Sequence, residues 1–176
     1  FRAARALAAL RLAHKADLVH RVGAGWRYER SRFNPEALTA PGTLPDGRTL
    51  AGPLAAYALI EPRYHKASDI DRMKVIEDFN LGWELGVEGS ALPEALGSDR
   101  DRWALGATLQ KGLPLGEGRF GLAQAVTESR LGGGRVENGL LTGSLNLFWQ
   151  TAMKFRQTWV AHAEYTATKA LDGERQ

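Results

Sequence analysis

Cysteine is absent from the sequence. That excludes disulfides and thiolate metal sites. Long apolar runs are missing too: nothing approaches the ~18 residues of a membrane-crossing helix, and the nearest is "GPLAAYALI" at 52–60. Neither sign of charge dominates. Lys and Arg number 23 against 20 Asp and Glu, a net charge of +3, and the basic residues are scattered rather than gathered into the patch that a nucleic acid requires. Nucleic acid is therefore not an expected partner. His14, His20, His65 and His162 show neither H-x-x-x-H nor H-E-x-x-H spacing, which argues against a zinc site. No signal peptide is visible. The chain opens at Phe1 and stops at "LDGERQ" without a terminating feature, as a piece cut from a longer protein does.

What is present is 176 residues, 44% hydrophobic and 24% charged, the composition of one sizeable folded domain. Their order carries the information. In "VIEDFNLGWELGVEG", residues 75–89, Phe79, Leu81, Trp83, Leu85 and Val87 share one parity, while Asn80, Gly82, Glu84, Gly86 and Glu88 share the other. Successive side chains of a strand point to opposite faces, so this is a strand with one uncharged face. The same alternation recurs at 18–30, 102–111, 138–150 and 154–166, and less cleanly at 54–65 and 119–128. Residues 1–14 suit a helix by their alanine and leucine content, but in this company they read as a strand. Period-2 counting predicts an all-β chain.

The predicted links at 31–52, 66–70, 89–101, 112–118, 131–137 and 151–153 alternate between longer and shorter. An up-and-down barrel in a membrane has that rhythm, with long loops on one side and short turns on the other. Most segments run about ten residues, near the ~9–11 of a tilted spanning strand and longer than the ~5–6 of a globular one. Lysine or arginine on a lipid-facing position costs roughly 2–4 kcal/mol at the midplane, which accounts for charges keeping to one parity. The expected lipid-facing residues are Phe79, Leu81, Trp83, Leu85, Val87, Trp103, Leu105, Leu109, Leu145, Leu147, Trp149, Phe155 and Trp159. Aromatic girdles at the interfaces are expected from Trp26, Tyr28, Trp103, Phe120, Trp149, Phe155 and Tyr165, with Trp83 and Trp159 lying deeper.

Motifs for bond chemistry are weak. "GEGRFG" at 116–121 fits G-x-G-x-x-G, but the residues after it alternate as a strand where a phosphate-binding helix is required. Gly116 and Gly118 read as turn residues, and "LGGGR" at 131–135 as a hairpin loop that admits positive φ. Glu84 and Glu88 share a face but stand too far apart along an extended chain to act as a carboxylate pair. Ser129, Ser144 and Thr158 lack histidine and carboxylate companions. No enzyme activity and no cofactor is expected.

One stretch carries a resemblance. "DIDRMKVIEDFNLGWELGVEG", residues 69–89, resembles the bacterial surface antigen family, the outer-membrane assembly barrels of the BamA and TamA type. The matching residues are Ile70 and Asp71, then Glu77, Asp78, Phe79, Leu81 and Gly82; "ATKALDGERQ" at 167–176 is similar to the approach to that family's long sixth loop. The resemblance implies that residues 1–176 are part of an antiparallel, up-and-down transmembrane β-barrel, incomplete at about seven or eight strands. Periplasmic POTRA domains and the final strands would lie outside the chain. It also implies a bacterial outer-membrane location and a role in protein insertion or translocation. The implied partners are outer-membrane lipid, client outer-membrane or secreted proteins, and the rest of the barrel. A two-partner secretion transporter, or a small self-closing barrel with a structural or binding role, fits the same pattern.

Overall fold

The computed structural model describes residues 2–15, 18–32, 47–68, 70, 75–151 and 157–170. Among the described residues the chain is all-β apart from one 3-10 turn at Glu94–Leu96. Ten strands form: β1 Arg2–Lys15, β2 Leu18–Ser31, β3 Arg48–Ile60, β4 Tyr64–Ser68, β5 Ile76–Asn80, β6 Trp83–Leu92, β7 Arg102–Gly116, β8 Arg119–Gly132, β9 Arg135–Thr151 and β10 Gln157–Lys169. Eight of them make a single antiparallel sheet in the order β1-β2-β3-β6-β7-β8-β9-β10, a meander interrupted once. The interruption is the hairpin β4–β5, a separate two-stranded sheet inserted between β3 and β6. Residues 2–15 form a strand, as their neighbours led one to expect.

The tight turns follow glycine. β7 joins β8 through Glu117 and Gly118, with Gly116 and Gly118 at φ 115° and 63°. β8 joins β9 through Gly133 and Gly134, at 56° and 73°. Both "GEGRFG" and "LGGGR" therefore act as hairpin turns in the left-handed region that glycine enters without strain. The 117–118 turn marks the lower end of the sheet, and the 133–134 turn the upper.

Three expectations fail in instructive ways. Residues 75–89 are two strands in two sheets, broken at Leu81 and Gly82. The 66–70 turn is likewise part of the inserted hairpin, so the lower link from β3 to β6 occupies 61–82 and is the longest described at that end. On the upper side, the 131–137 loop contracts to two residues. Strict alternation of long and short links does not hold.

Register gives the sheet two unlike faces. One joins Trp26, Pro53, Ala55 and Tyr57 to Val87, Leu85 and Trp83, and these to Ala107, Leu109, Ala125, Leu145 and Ala163. The other joins Arg27, Gly52, Ser90, Glu88, Gly106, Glu128, Thr142 and Thr166. The second face is the concave one. A trough of about 400 Å³ runs along it from Leu7 on β1 to Glu128 on β8; nearer its two ends the same face carries Leu50, Leu92, Ala104, Phe120 and Phe148, all buried.

Candidate functional site

The convex face is where most of the exposed large apolar side chains stand. Trp83, Val87, Trp103, Leu105, Leu109, Leu141, Trp149, Trp159 and Tyr165 all stand on it and all are exposed, Trp159 to 63% and Trp103 to 59%. Hydrophobic burial drives folding at roughly 25 cal/mol per Å², so an apolar face of this extent left open within the fold calls for a partner. Between its two rims the face carries no Asp, Glu, Lys or Arg among the described side chains. From Trp103 to Lys111 on β7 the strand advances by eight residue steps, or about 26 Å at ~3.3 Å per residue.

Among the described side chains, charge appears on this face only at the margins. Arg30 and Lys169 occupy the upper rim. At the lower rim Lys111 lies over the Trp83 ring, 5.0 Å from its centroid, and Arg119 over Trp149 at 4.5 Å. Trp83 opens β6 and Trp159 is the third residue of β10. Both are therefore rim residues rather than deep ones, a correction caused by the break at 81–82 and by the later start of β10. His20, also near the lower end, hydrogen-bonds the Tyr57 hydroxyl at 2.9 Å.

The concave face holds most of the charges, and several of them are paired. Arg102, whose side chain is 3% exposed, donates to Asp99 Oδ1 and Oδ2 at 2.8 and 3.0 Å and to Glu137 Oε2 at 2.9 Å. Arg100 reaches the same Glu137 oxygen at 3.1 Å. Glu29 meets Arg27 at 3.2 Å and Arg48 at 3.7 Å. His162 faces Asn146 at 2.7 Å. Glu84 accepts from Asn80. Burial alone would raise the Asp99 pKa; the hydrogen bonds and charge of Arg102, helped by Arg100, outweigh it and hold the carboxyl below its ordinary value.

That cluster fastens the upper link over 93–101. Above Leu54, β3 and β6 no longer pair, and the backbone groups of β3 need other partners. The Ser98 hydroxyl accepts from the Ala51 N–H at 2.9 Å and donates to its carbonyl at 3.0 Å. The Asp99 N–H donates to Thr49 O at 3.0 Å.

At the lower end the inserted hairpin turns inward. His65, Phe79 and Leu81 come down on the concave face, where Ala67, Phe120 and Phe148 form a buried cluster with Ile70 and Leu122 packed against it. The ring centroids of Phe79 and Phe120 are 4.9 Å apart, and those of Phe120 and Phe148 4.8 Å. Two glycines make the inward turn possible. A β-carbon on Gly82 would overlap the Glu61 carbonyl, and one on Gly112 would overlap the Leu81 backbone. Asn80 secures the crossing: its Oδ1 accepts from the N–H groups of Arg63 at 2.8 Å and Gly82 at 3.0 Å, and its Nδ2 donates to Glu84 at 2.7 Å. Gln150 Nε2 also donates to Ser68 O.

The expected lipid-facing set therefore divides. Trp83, Leu85, Val87, Trp103, Leu105, Leu109, Leu145, Leu147, Trp149 and Trp159 share the convex face. Phe79 and Leu81 do not: they pack on the Phe120 cluster, because the chain leaves the main sheet before Trp83. Phe120, expected in a girdle, is 1% exposed on the concave side. Phe155 lies outside the described residues. Of the family-signature residues, Ile70 and Phe79 join the inner cluster, Glu77 and Asp78 face Ala67 and Lys66 across the hairpin, and Gly82 is the close-approach glycine; Asp71 lies outside the described residues. Sequence reasoning missed Asn80, Ser98 and the Asp99–Arg102–Glu137 cluster. Among the described residues no group of histidines and carboxylates could hold a metal ion.

No family model matches the chain, and neither a curated protein nor a solved structure does.

Proposed function

We propose that the chain forms part of the wall of a transmembrane β-barrel in a bacterial outer membrane, one that inserts or translocates proteins and makes or breaks no bond. The observation that carries the membrane reading is the convex face: exposed, apolar across the sheet, free of charge between its rims among the described side chains, and bordered by tryptophans. Hydrocarbon is the covering that such a face suits, since each arginine or lysine there would cost roughly 2–4 kcal/mol at the midplane. Outward apolar residues, inward polar ones and aromatic borders are the pattern of outer-membrane strands.

The role in handling client proteins rests on the resemblance of residues 69–89 to the bacterial surface antigen family. In this reading the concave face lines a lumen, several of whose charges are paired within the wall, and presents a polar, glycine-rich surface to a passing or inserting chain. The hairpin β4–β5 narrows the lower mouth.

Two measurements on the full-length protein separate the layers of the proposal. Unboiled protein in detergent should migrate faster on a gel than boiled protein, as a folded barrel does; identical migration overturns the membrane reading. Vesicles carrying the protein should speed insertion of an unfolded outer-membrane barrel compared with empty vesicles. Equal rates overturn the assembly role and leave the barrel standing.

A further inference from the structure

Arg119 is a cation at the lower rim of a face that carries charge only at its margins, and the chain supplies it with no anion among the described residues. It stands directly opposite Trp149, which stands directly opposite Trp159, so the three form one cross-strand row at the lower rim. Its guanidinium lies over the Trp149 ring at 4.5 Å, and no carboxylate among the described residues pairs with it. Lys111, the other cation of this rim, is in a different position. Glu61 Oε2 lies 3.7 Å from its ammonium, and the Trp83 ring is on its flank. Its charge is answered within the chain.

We infer that Arg119, flanked by Trp149 and Trp159, binds the phosphate of an anionic glycerophospholipid at the lower rim of the convex face. The inference rests on the membrane reading proposed above and names a specific partner for that surface. A guanidinium is well suited to a phosphate, because it stays charged at any physiological pH and presents a planar fork of N–H donors that matches two phosphate oxygens. The indole beneath engages the cation by its face without using those donors. Indoles also settle at headgroup depth, apolar body toward the chains and N–H toward water, which places the phosphate and Arg119 at one level. A zwitterionic lipid brings an ammonium that competes with Arg119 for its own phosphate, whereas an anionic lipid does not. One basic residue near a charged membrane surface contributes on the order of fivefold in affinity.

The test is a native mass spectrometry titration of the full-length protein in neutral detergent, with phosphatidylglycerol or phosphatidylcholine added and bound lipids counted. The unmodified protein should take its first phosphatidylglycerol about fivefold more readily than phosphatidylcholine. Arg119→Gln should erase that preference, and Lys111→Gln should leave it. An Arg119→Gln protein with undiminished preference overturns the inference, as does an equal loss in both variants, which would mean diffuse attraction to a basic surface. Arg119→Lys keeps the charge and removes the fork. Should Arg119→Gln not fold, this variant decides: a reduced preference supports the site, and an unchanged one overturns it. A heat-induced gel shift in the same preparations keeps the outcomes distinct, because a folded barrel without lipid preference sinks this inference alone.

Discussion

Leu85 and Glu84 are neighbours in β6 with opposite surroundings, and they set the sharpest contrast between single residues. Leu85 lies on the convex face between Leu59 and Leu109, whereas Glu84 accepts from Asn80 on the concave side. Leu85→Arg should cost roughly 2–4 kcal/mol of membrane stability and greatly reduce the heat-modifiable form, while Glu84→Gln retains an acceptor for Asn80 and should fold. Equal tolerance of the two changes would contradict the facing. Phe120→Ala should cost about 3–5 kcal/mol, read as a lower urea midpoint, because its ring is 1% exposed among Phe79, Phe148 and His65. A girdle phenylalanine would lose far less. Parity alone put Leu85, Leu109 and Leu145 on one face of the sheet, and they do share one, because their strands run unbroken. It misplaced Phe79 and Leu81 because the apolar parity continues through a break in the sheet. That break depends on two close backbone approaches, at Gly82 and Gly112, and Gly112 comes from a strand distant in sequence. No local pattern encodes such a meeting.

At the scale of elements, the strands were legible and the links were not. Strand existence follows from period-2 alternation, and even 2–15 followed from context; the lengths ran past the expected ten residues or so, reaching 17 in β9. The hairpin β4–β5 was hidden because each of its strands has five residues and continues the parity of its neighbour. The clasp over 93–101 was equally hidden, since Asp99 and Glu137 converge on Arg102 only after three strands have paired. The clasp has a pH signature. The Asp99 pKa is lower in the folded protein than its ordinary value of 3.8, so Asp99 binds a proton more readily once the loop is released. Its contribution is complete above the ordinary carboxylate range and is lost as pH falls through the depressed folded value. Amide exchange at Asp99, whose N–H is bonded to Thr49 O, should accelerate below about pH 3.8 relative to its intrinsic rate. Asp99→Asn should show that faster exchange already at neutral pH. A pH-independent protection factor would mean that the ion cluster does not hold the link.

For the molecule as a whole, the order β1-β2-β3-β6-β7-β8-β9-β10 leaves β1 and β10 as edges among the described residues. Such edges offer unpaired backbone groups, and in the proposed barrel further strands cover them. The all-β class and the two-faced sheet were readable from alternation, because a strand's facing depends only on residues two apart. What covers the convex face was not readable, since the same pattern serves a protein core or a lipid. The measurement that decides between them is nitroxide accessibility, made simple by the lack of cysteine in these 176 residues. Single cysteines replace Leu85, Leu109 or Leu145 on the convex face and Thr108, Gln110 or Ser144 on the concave one, in full-length protein folded into lipid vesicles. The account predicts that labels at the first three sites collide preferentially with oxygen, which concentrates in hydrocarbon, and those at the second three with a water-soluble nickel chelate. Convex sites that favour the chelate, or that are shielded from both reagents as inside a protein core, would contradict it.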